Sequence, residues 1–234
     1  MKQPADLPEA LSSFRAQCAH GEKTSQAQLD RLVDQWQDRR EVLRPGEADE
    51  TFALVDADGT LTGLAAPRWL CHLVGLRHRC VNVLLTWRSP SLGRVLVAQV
   101  RSWDKNDSPG HLDISAAGHN KALTSSEQTA YEELEEELGL GRDALQGGYL
   151  SHKGGYASYV ERPEDNFYNA QWCEIYTGRL TTEGLERITF RDAEVVGLYL
   201  CPISRVPSLL TQTQLPIASA LKNTVPRCLP AGDI

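Results

Sequence analysis

The chain is 234 residues long, with a formal net charge of −7, 41% hydrophobic residues and 24% charged residues. That balance belongs to folded globular proteins and excludes a disordered tail or a membrane-embedded bundle. The acidic charge and the lack of a basic stripe interleaved with aromatics exclude a nucleic-acid polymer as partner, and no apolar run approaches the about 20 residues that span a bilayer.

Residues 1–48 read as a helical N-terminal extension. Leu7, Leu11 and Phe14 share one helical face, and Leu29, Leu32, Val33 and Trp36 share another that continues to Leu43, before Pro45-Gly46 stops the run. This helical pair is expected to pack against the domain that follows.

Residues 51–55 read as a strand, and Asp56-Ala57-Asp58-Gly59 as its turn. No glutamate lies where a calcium-binding helix-loop-helix requires one, so this Asp-rich stretch is expected to be a hairpin turn. Residues 81–86 and 94–100 form an antiparallel pair around Ser89-Pro90-Ser91 and Gly93. Residues 112–118 are a short strand entering a loop.

The next segment is a helix with marked ends. Ser125 and Gln128 have capping-box spacing, Ala130, Tyr131, Leu134 and Leu138 form an apolar stripe, and Gly139 fits the left-handed C-terminal position. Residues 147–160, 171–180 and 195–200 alternate as strands, 204–221 are helical in part, and the chain from Asn223 on frays. The division is 1–48 extension, 49–203 main domain, 204–234 C-terminal helix and tail. Strands before and after one diagnostic helix give an α/β class, a mixed sheet between helices.

Glu133, Glu136 and Glu137 stand at i, i+3 and i+4. At about 100° per residue they fall on one arc of the helix. Three carboxylates on one arc repel unless a cation lies among them, and a hard divalent ion such as Mg²⁺ prefers such oxygen ligands. A glutamate-rich helix by itself usually means a solvated face. Here the spacing to Gly118, the cap and Gly139 set it apart.

From Gly118 to Leu140 the chain resembles the Nudix hydrolase family, whose signature is Gly, five residues, Glu, seven residues, then Arg-Glu-aliphatic-x-Glu-Glu-x-Gly-aliphatic. Gly118 opens the pattern and Glu133-Leu134-Glu135-Glu136-Glu137-Leu138-Gly139-Leu140 closes it. The resemblance implies a Nudix-type α/β/α sandwich and a Mg²⁺- or Mn²⁺-dependent pyrophosphohydrolase acting on a small-molecule diphosphate, as a monomer or homodimer. It implies metal binding by Glu133, Glu136 and Glu137, joined by the backbone carbonyl of Ala117, with Glu133 the first choice as general base. A further acidic ligand from a later loop is expected at Glu194, with Glu174 behind it. Thr124 stands where the signature has its first Glu, Glu132 where it has Arg, and Leu123 where glycine is frequent. The family's supporting ion pair is therefore lost as a pair, and the loop is expected to take another shape. Glu132 is expected to face solvent.

Residues 101–119 resemble the subgroup related to isopentenyl-diphosphate isomerase. The shared features are Arg101-Ser102, Lys105, Pro109-Gly110 and Ala117-Gly118-His119, with His78-Arg79 before an alternating strand. Arg101 and Lys105 become candidates for holding a diphosphate, one by a bidentate fork and one by a mobile charge. His119 either touches substrate or caps the loop, and His78 and Arg79 order the sheet edge. The isomerase's Cys-Ser-His motif is missing, and Cys80, the nearest thiol, reads as a buried free cysteine. Isomerase-like chemistry is the weaker branch. A non-hydrolytic diphosphate sensor and a helix-mediated interaction protein stay open beside it. The six cysteines form no Cys-x-x-Cys pair, and with no signal peptide evident they are expected to be reduced thiols in a cytoplasmic protein.

Overall fold

A computed structural model describes residues 7–19, 23–46, 48–105, 107–191, 193–212 and 214–229. In chain order the elements are α1 (Glu9–Ala19), α2 (Gln26–Trp36), α3 (Arg40–Leu43), β1 (Thr51–Val55), β2 (Leu61–Pro67), α4 (Arg68–Val74), β3 (His78–Ser89) and β4 (Gly93–Arg101). They continue with β5 (Leu112–Asp113), β6 (Ala116–His119), α5 (Ser126–Leu138), β7 (Ser151–Arg162), β8 (Phe167–Arg179), α6 (Thr182–Glu186), β9 (Val195–Pro202), α7 (Val206–Gln212) and α8 (Ser219–Cys228). No described helix is long and apolar enough to cross a membrane.

The chain divides into two units. The first comprises Met1–Cys80, His119–Thr124 and Gly155–Cys173. Its core gathers Leu11 and Phe14 of α1, Leu29 of α2 and Leu43 of α3 against Phe52 and Leu54 of β1 and Trp69, Leu70 and Leu73 of α4. The N-terminal helices thus bury their apolar faces on the β1–β2 ribbon and α4. That ribbon is antiparallel, with Phe52 opposite Ala66. Its Asp-rich turn is closed by Asp56, whose Oδ1 accepts from the N–H groups of Asp58 and Thr60 at 2.9 Å each. Asp56 thus serves the turn itself, as expected of a hairpin.

The second unit comprises Val81–Gly118, Ser125–Gly154 and Glu174–Ile234. Strand β4 is its axis. Leu85 of β3 lies opposite Val97, and β5 and β9 pair with β4 through Gln99↔Asp113 and Val97↔Leu200, all antiparallel. Strand side chains alternate between two faces. Val81, Val83, Leu85 and Val97 pack with Ala130, Leu134 and Leu138 of α5. Leu84, Leu96 and Ala98 pack with Val206 and Leu209 of α7 and Leu221 and Val225 of α8. Helices therefore cover both faces of the strands, as expected for an α/β/α sandwich.

Three local expectations change. Residues 112–118 are two short strands, because Ser115 breaks the ladder: its Oγ accepts the Leu85 N–H at 2.7 Å and donates to the Val97 carbonyl. Helix α8 continues past Asn223 to Cys228, because Leu221, Thr224 and Val225 are buried beneath it. The cap of α5 is half a box: Ser125 Oγ accepts the Gln128 N–H at 3.1 Å, but the Gln128 side chain donates forward to Glu132 Oε1 at 2.7 Å.

Candidate metal centre

Helix α5 is fixed at both ends and along one stripe. Ser125 caps its start, Gly139 ends it with φ +67°, and the Gly139 N–H reaches back to the Glu135 carbonyl at 3.0 Å, the five-to-one bond of a left-handed cap, while the Leu140 N–H reaches the Leu134 carbonyl at 3.0 Å. Ala130, Leu134 and Leu138 are fully buried. This phase turns Glu137 inward at 1% exposure, leaves Glu133 half-buried and puts Glu136 at the surface. The three acids therefore run from core to solvent along one arc.

Glu133 comes to rest on Gly118, where any Cβ would collide with its carboxylate. The opening glycine of the motif is thus a steric requirement of the first acid. Glu137 Oε2 accepts two hydrogen bonds of 3.1 Å, one from the Ala117 N–H and one from the Gln99 side-chain amide. Burial, reinforced by the neighbouring Glu133 charge, pushes the Glu137 pKa well above the usual carboxylate range, against the opposing pull of the Ala117 N–H and Lys105. Glu194 adds to the negative field at Glu137. A buried acid flanked by other acids gains most from a cation.

The remaining charges of this unit are ordered around β4. Lys105 forms an ion pair with Glu194, and the Ser102 N–H donates to the Glu194 carbonyl at 2.8 Å, tying the two segments together. The Arg101 guanidinium is held by Asp113 at 3.1 Å and by the Asp107 carbonyl at 2.9 Å. Burial raises the Asp113 pKa even beside Arg101; desolvation outweighs the partner's charge. Arg101 is thus built into the loop scaffold, whereas Lys105 lies close enough for its charge to act on Glu137. Glu174 is engaged elsewhere, accepting from His152 Nε2 at 2.7 Å.

The departures from the signature have structural roles. Thr124 closes a turn by donating from Oγ1 to the Lys121 carbonyl at 2.8 Å. Leu123 takes φ +78° and is fully exposed, so a leucine occupies backbone space that favours glycine. Glu132 accepts from Gln128, and Glu132, Glu135, Glu136 and Arg191 border an open depression of about 500 Å³.

His119 sits in the first unit. Its ring stacks on Phe52 with centroids 4.4 Å apart, and its Nε2 lies 3.1 Å from Gln171 Nε2. His72, His78 and His119 bring one ring nitrogen each to within 4.8 Å of one another. His78 Nδ1 lies 2.9 Å from the Leu76 carbonyl. Three imidazoles at that spacing suit a borderline ion such as Zn²⁺, unlike the all-oxygen arc of α5. They also pack as an aromatic cluster with Phe52 and Phe167. Cys80 is buried with its Sγ 3.0 Å from that of Cys173, and the two form no disulfide.

Sequence reading missed Gln99, Asp113 and His72. Gln99 carried a signal: it shares strand parity with Val95 and Val97, so a polar residue falls on the apolar face of β4. Asp113 showed none beyond its strand, and His72 lies in a helix whose contacts only the fold reveals.

The donor set fits a hard divalent cation. It is all oxygen, it spans one helical arc, and its innermost carboxylate is buried at an energetic cost that positive charge relieves. Glu133, Glu136 and Glu137 would hold the ion.

No family model matches the chain. It is 31% identical over 168 residues to Nudix hydrolase 3 of Arabidopsis thaliana, an alignment covering 70% of this chain and 21% of that protein. The chain thus spans about a fifth of that relative's length. The crystal structure of DR0079 from Deinococcus radiodurans superposes with a TM-score of 0.57 at 19% identity, covering 76% of this chain and 99% of that one, a likeness of fold. The chain thus combines a carboxylate arc between Gly118 and Gly139, an α/β/α sandwich and sequence similarity to a Nudix hydrolase.

Proposed function

We propose that the chain is a Mg²⁺- or Mn²⁺-dependent pyrophosphohydrolase that cleaves the diphosphate linkage of a small organic or nucleotide-like molecule. The buried Glu137, with Glu133 and Glu136 on the same arc, carries this reading. A bound cation would neutralise phosphate oxygens and lower the pKa of an attacking water. Within the chain, Gly118 keeps Glu133 in place, the Ala117 N–H orients Glu137, and Lys105 supplies a positive charge near the arc. Glu133, half-buried and beside Glu137, is the proposed proton acceptor.

The test is release of phosphate or nucleoside monophosphate from a panel of diphosphates with Mg²⁺ or Mn²⁺. The double substitution Glu136→Gln, Glu137→Gln is expected to remove turnover, and full activity of that variant would contradict the placement. A second reading, a diphosphate sensor, draws on Thr124 and Glu132, which are committed to Lys121 and Gln128. Ligand-induced stabilisation without turnover would favour it.

A further inference from the structure

We infer that Gln99 is a positioning residue of the cation site: its amide nitrogen fixes the Glu137 carboxylate while its amide oxygen accepts a hydrogen bond from a water in the cation's hydration shell. The inference rests on the cation-binding reading of the α5 arc and adds a neutral group from β4 to it.

The amide of Gln99 is 1% exposed. Its nitrogen donates to Glu137 Oε2 at 3.1 Å. Its oxygen is buried and has no hydrogen-bond partner among the described residues. A buried amide oxygen left without a donor is costly, because it has lost its hydration and gained nothing in return. The side chain could avoid that cost only by giving up its bond to Glu137. The observed orientation keeps the Glu137 bond and leaves the oxygen as an open acceptor.

Amide geometry limits where that oxygen is. An amide's oxygen and nitrogen are about 2.3 Å apart, so Gln99 Oε1 lies within about 5.4 Å of the Glu137 oxygen its own nitrogen touches. A Mg²⁺ or Mn²⁺ ion on Glu137 would keep several waters at about 2.1 Å from the metal. Those waters would be strong donors, and an acceptor within that range of Glu137 could receive a hydrogen bond from one of them. The two bonds to Glu137, from Gln99 and Ala117, both fall on Oε2. The other carboxylate oxygen, Oε1, is thereby left to coordinate. Gln99 therefore combines a donor for the ligand and an acceptor for the ligand's water in one rigid group. Its place on the apolar face of β4, beside Val97 and paired with Asp113, keeps bulk water from satisfying it instead.

The decisive comparison is calorimetric titration of the full chain with Mn²⁺ alone, for wild type, Gln99→Met and the double variant Glu136→Gln, Glu137→Gln. Methionine fills the space of glutamine without either polar atom. Gln99→Met is expected to weaken Mn²⁺ binding about 10- to 100-fold, as loss of such supporting groups does elsewhere, while the metal-free melting temperature stays at or above wild type. Electron–nuclear double resonance of the Mn²⁺-loaded proteins should show a changed exchangeable-water proton coupling in the variant. Should Gln99→Met fail to fold, Gln99→Asn keeps the amide but withdraws it by one methylene, and the same loss of affinity is expected.

Wild-type affinity and water couplings in Gln99→Met or Gln99→Asn would overturn the role of Gln99 while the arc stands. A lowered melting temperature with unchanged Mn²⁺ binding would do the same, reducing Gln99 to a packing residue. A wild type that takes up no Mn²⁺, or a double Glu variant that binds as well as wild type, would instead remove the cation-binding reading and this inference with it.

Discussion

Gly118 and Glu133 occupy adjoining space so closely that a single methyl group on the former would overlap the carboxylate of the latter. Gly118→Ala should therefore displace Glu133 without touching its chemistry. A displacement of about 1 Å typically costs about 100-fold in rate, while the fold should lose little stability, because the flexible end of the Glu133 side chain can move aside. Cation-dependent diphosphate hydrolysis and a denaturant melt measure the two effects. A fully active Gly118→Ala would mean that Glu133 can leave its observed position at no cost.

Burial lifts the pKa of Glu137 and of Asp113 above the usual range. The folded protein then holds these protons more tightly than the unfolded chain. Their stabilising contribution is complete below the unfolded values of about 4 and fades as pH rises through the folded values. A divalent ion binds the ionised form of Glu137, so its stabilisation should grow over the same interval. Thermal melts from about pH 5 to about pH 8 check this. Without metal, Glu137→Gln should gain on wild type as pH rises. With Mg²⁺, wild type should gain. A gap between the two proteins that ignores pH would show that Glu137 is not titrating against its burial.

Arg101 and Asp113 form an ion pair with side chains only 11% and 6% exposed. Removing one partner strands the other charge, so Asp113→Ala should cost about 3–5 kcal/mol. Asp113→Asn retains an acceptor for Arg101 and should cost less. Urea unfolding of both variants tests the order. Equal, small losses would indicate that Arg101 finds acceptors besides the Asp107 carbonyl.

Leu123 holds a left-handed backbone with its side chain wholly in solvent. A non-glycine residue there carries about 1–2 kcal/mol of strain. Leu123→Gly loses no burial and should match or exceed wild-type stability, offset partly by the extra freedom of the unfolded chain. Leu123→Val, branched at Cβ, should be destabilised by about 1 kcal/mol. Melting temperatures that do not separate these two variants would argue that the loop relaxes freely.

The arc, its bracketing glycines and the apolar stripe of α5 could be read from the sequence because all depend on spacing within one helix. The hairpin of β3 and β4 was legible for the same reason, as alternation over a short interval. Long-range relations were not. Gln99 meets Glu137 across 38 positions, and Lys105 meets Glu194 across 89. Arg101, expected to face a diphosphate, is instead claimed by Asp113 and the Asp107 carbonyl. Its sequence neighbourhood could suggest a phosphate ligand but could not show that a nearer carboxylate had already taken the guanidinium. The departure at Leu123 was visible, but only the backbone shows a leucine in a conformation that favours glycine.

The two end fixtures of α5 and its buried stripe involve none of the arc's acidic side chains. Orientation and coordination chemistry are thus assigned to different residues of one rod. On the proposed reading, exchanging the outermost acid Glu136 for histidine should leave the rod standing while shifting the preferred ion from hard toward softer cations, so the helix would offer a mount on which metal preference can be re-tuned one position at a time.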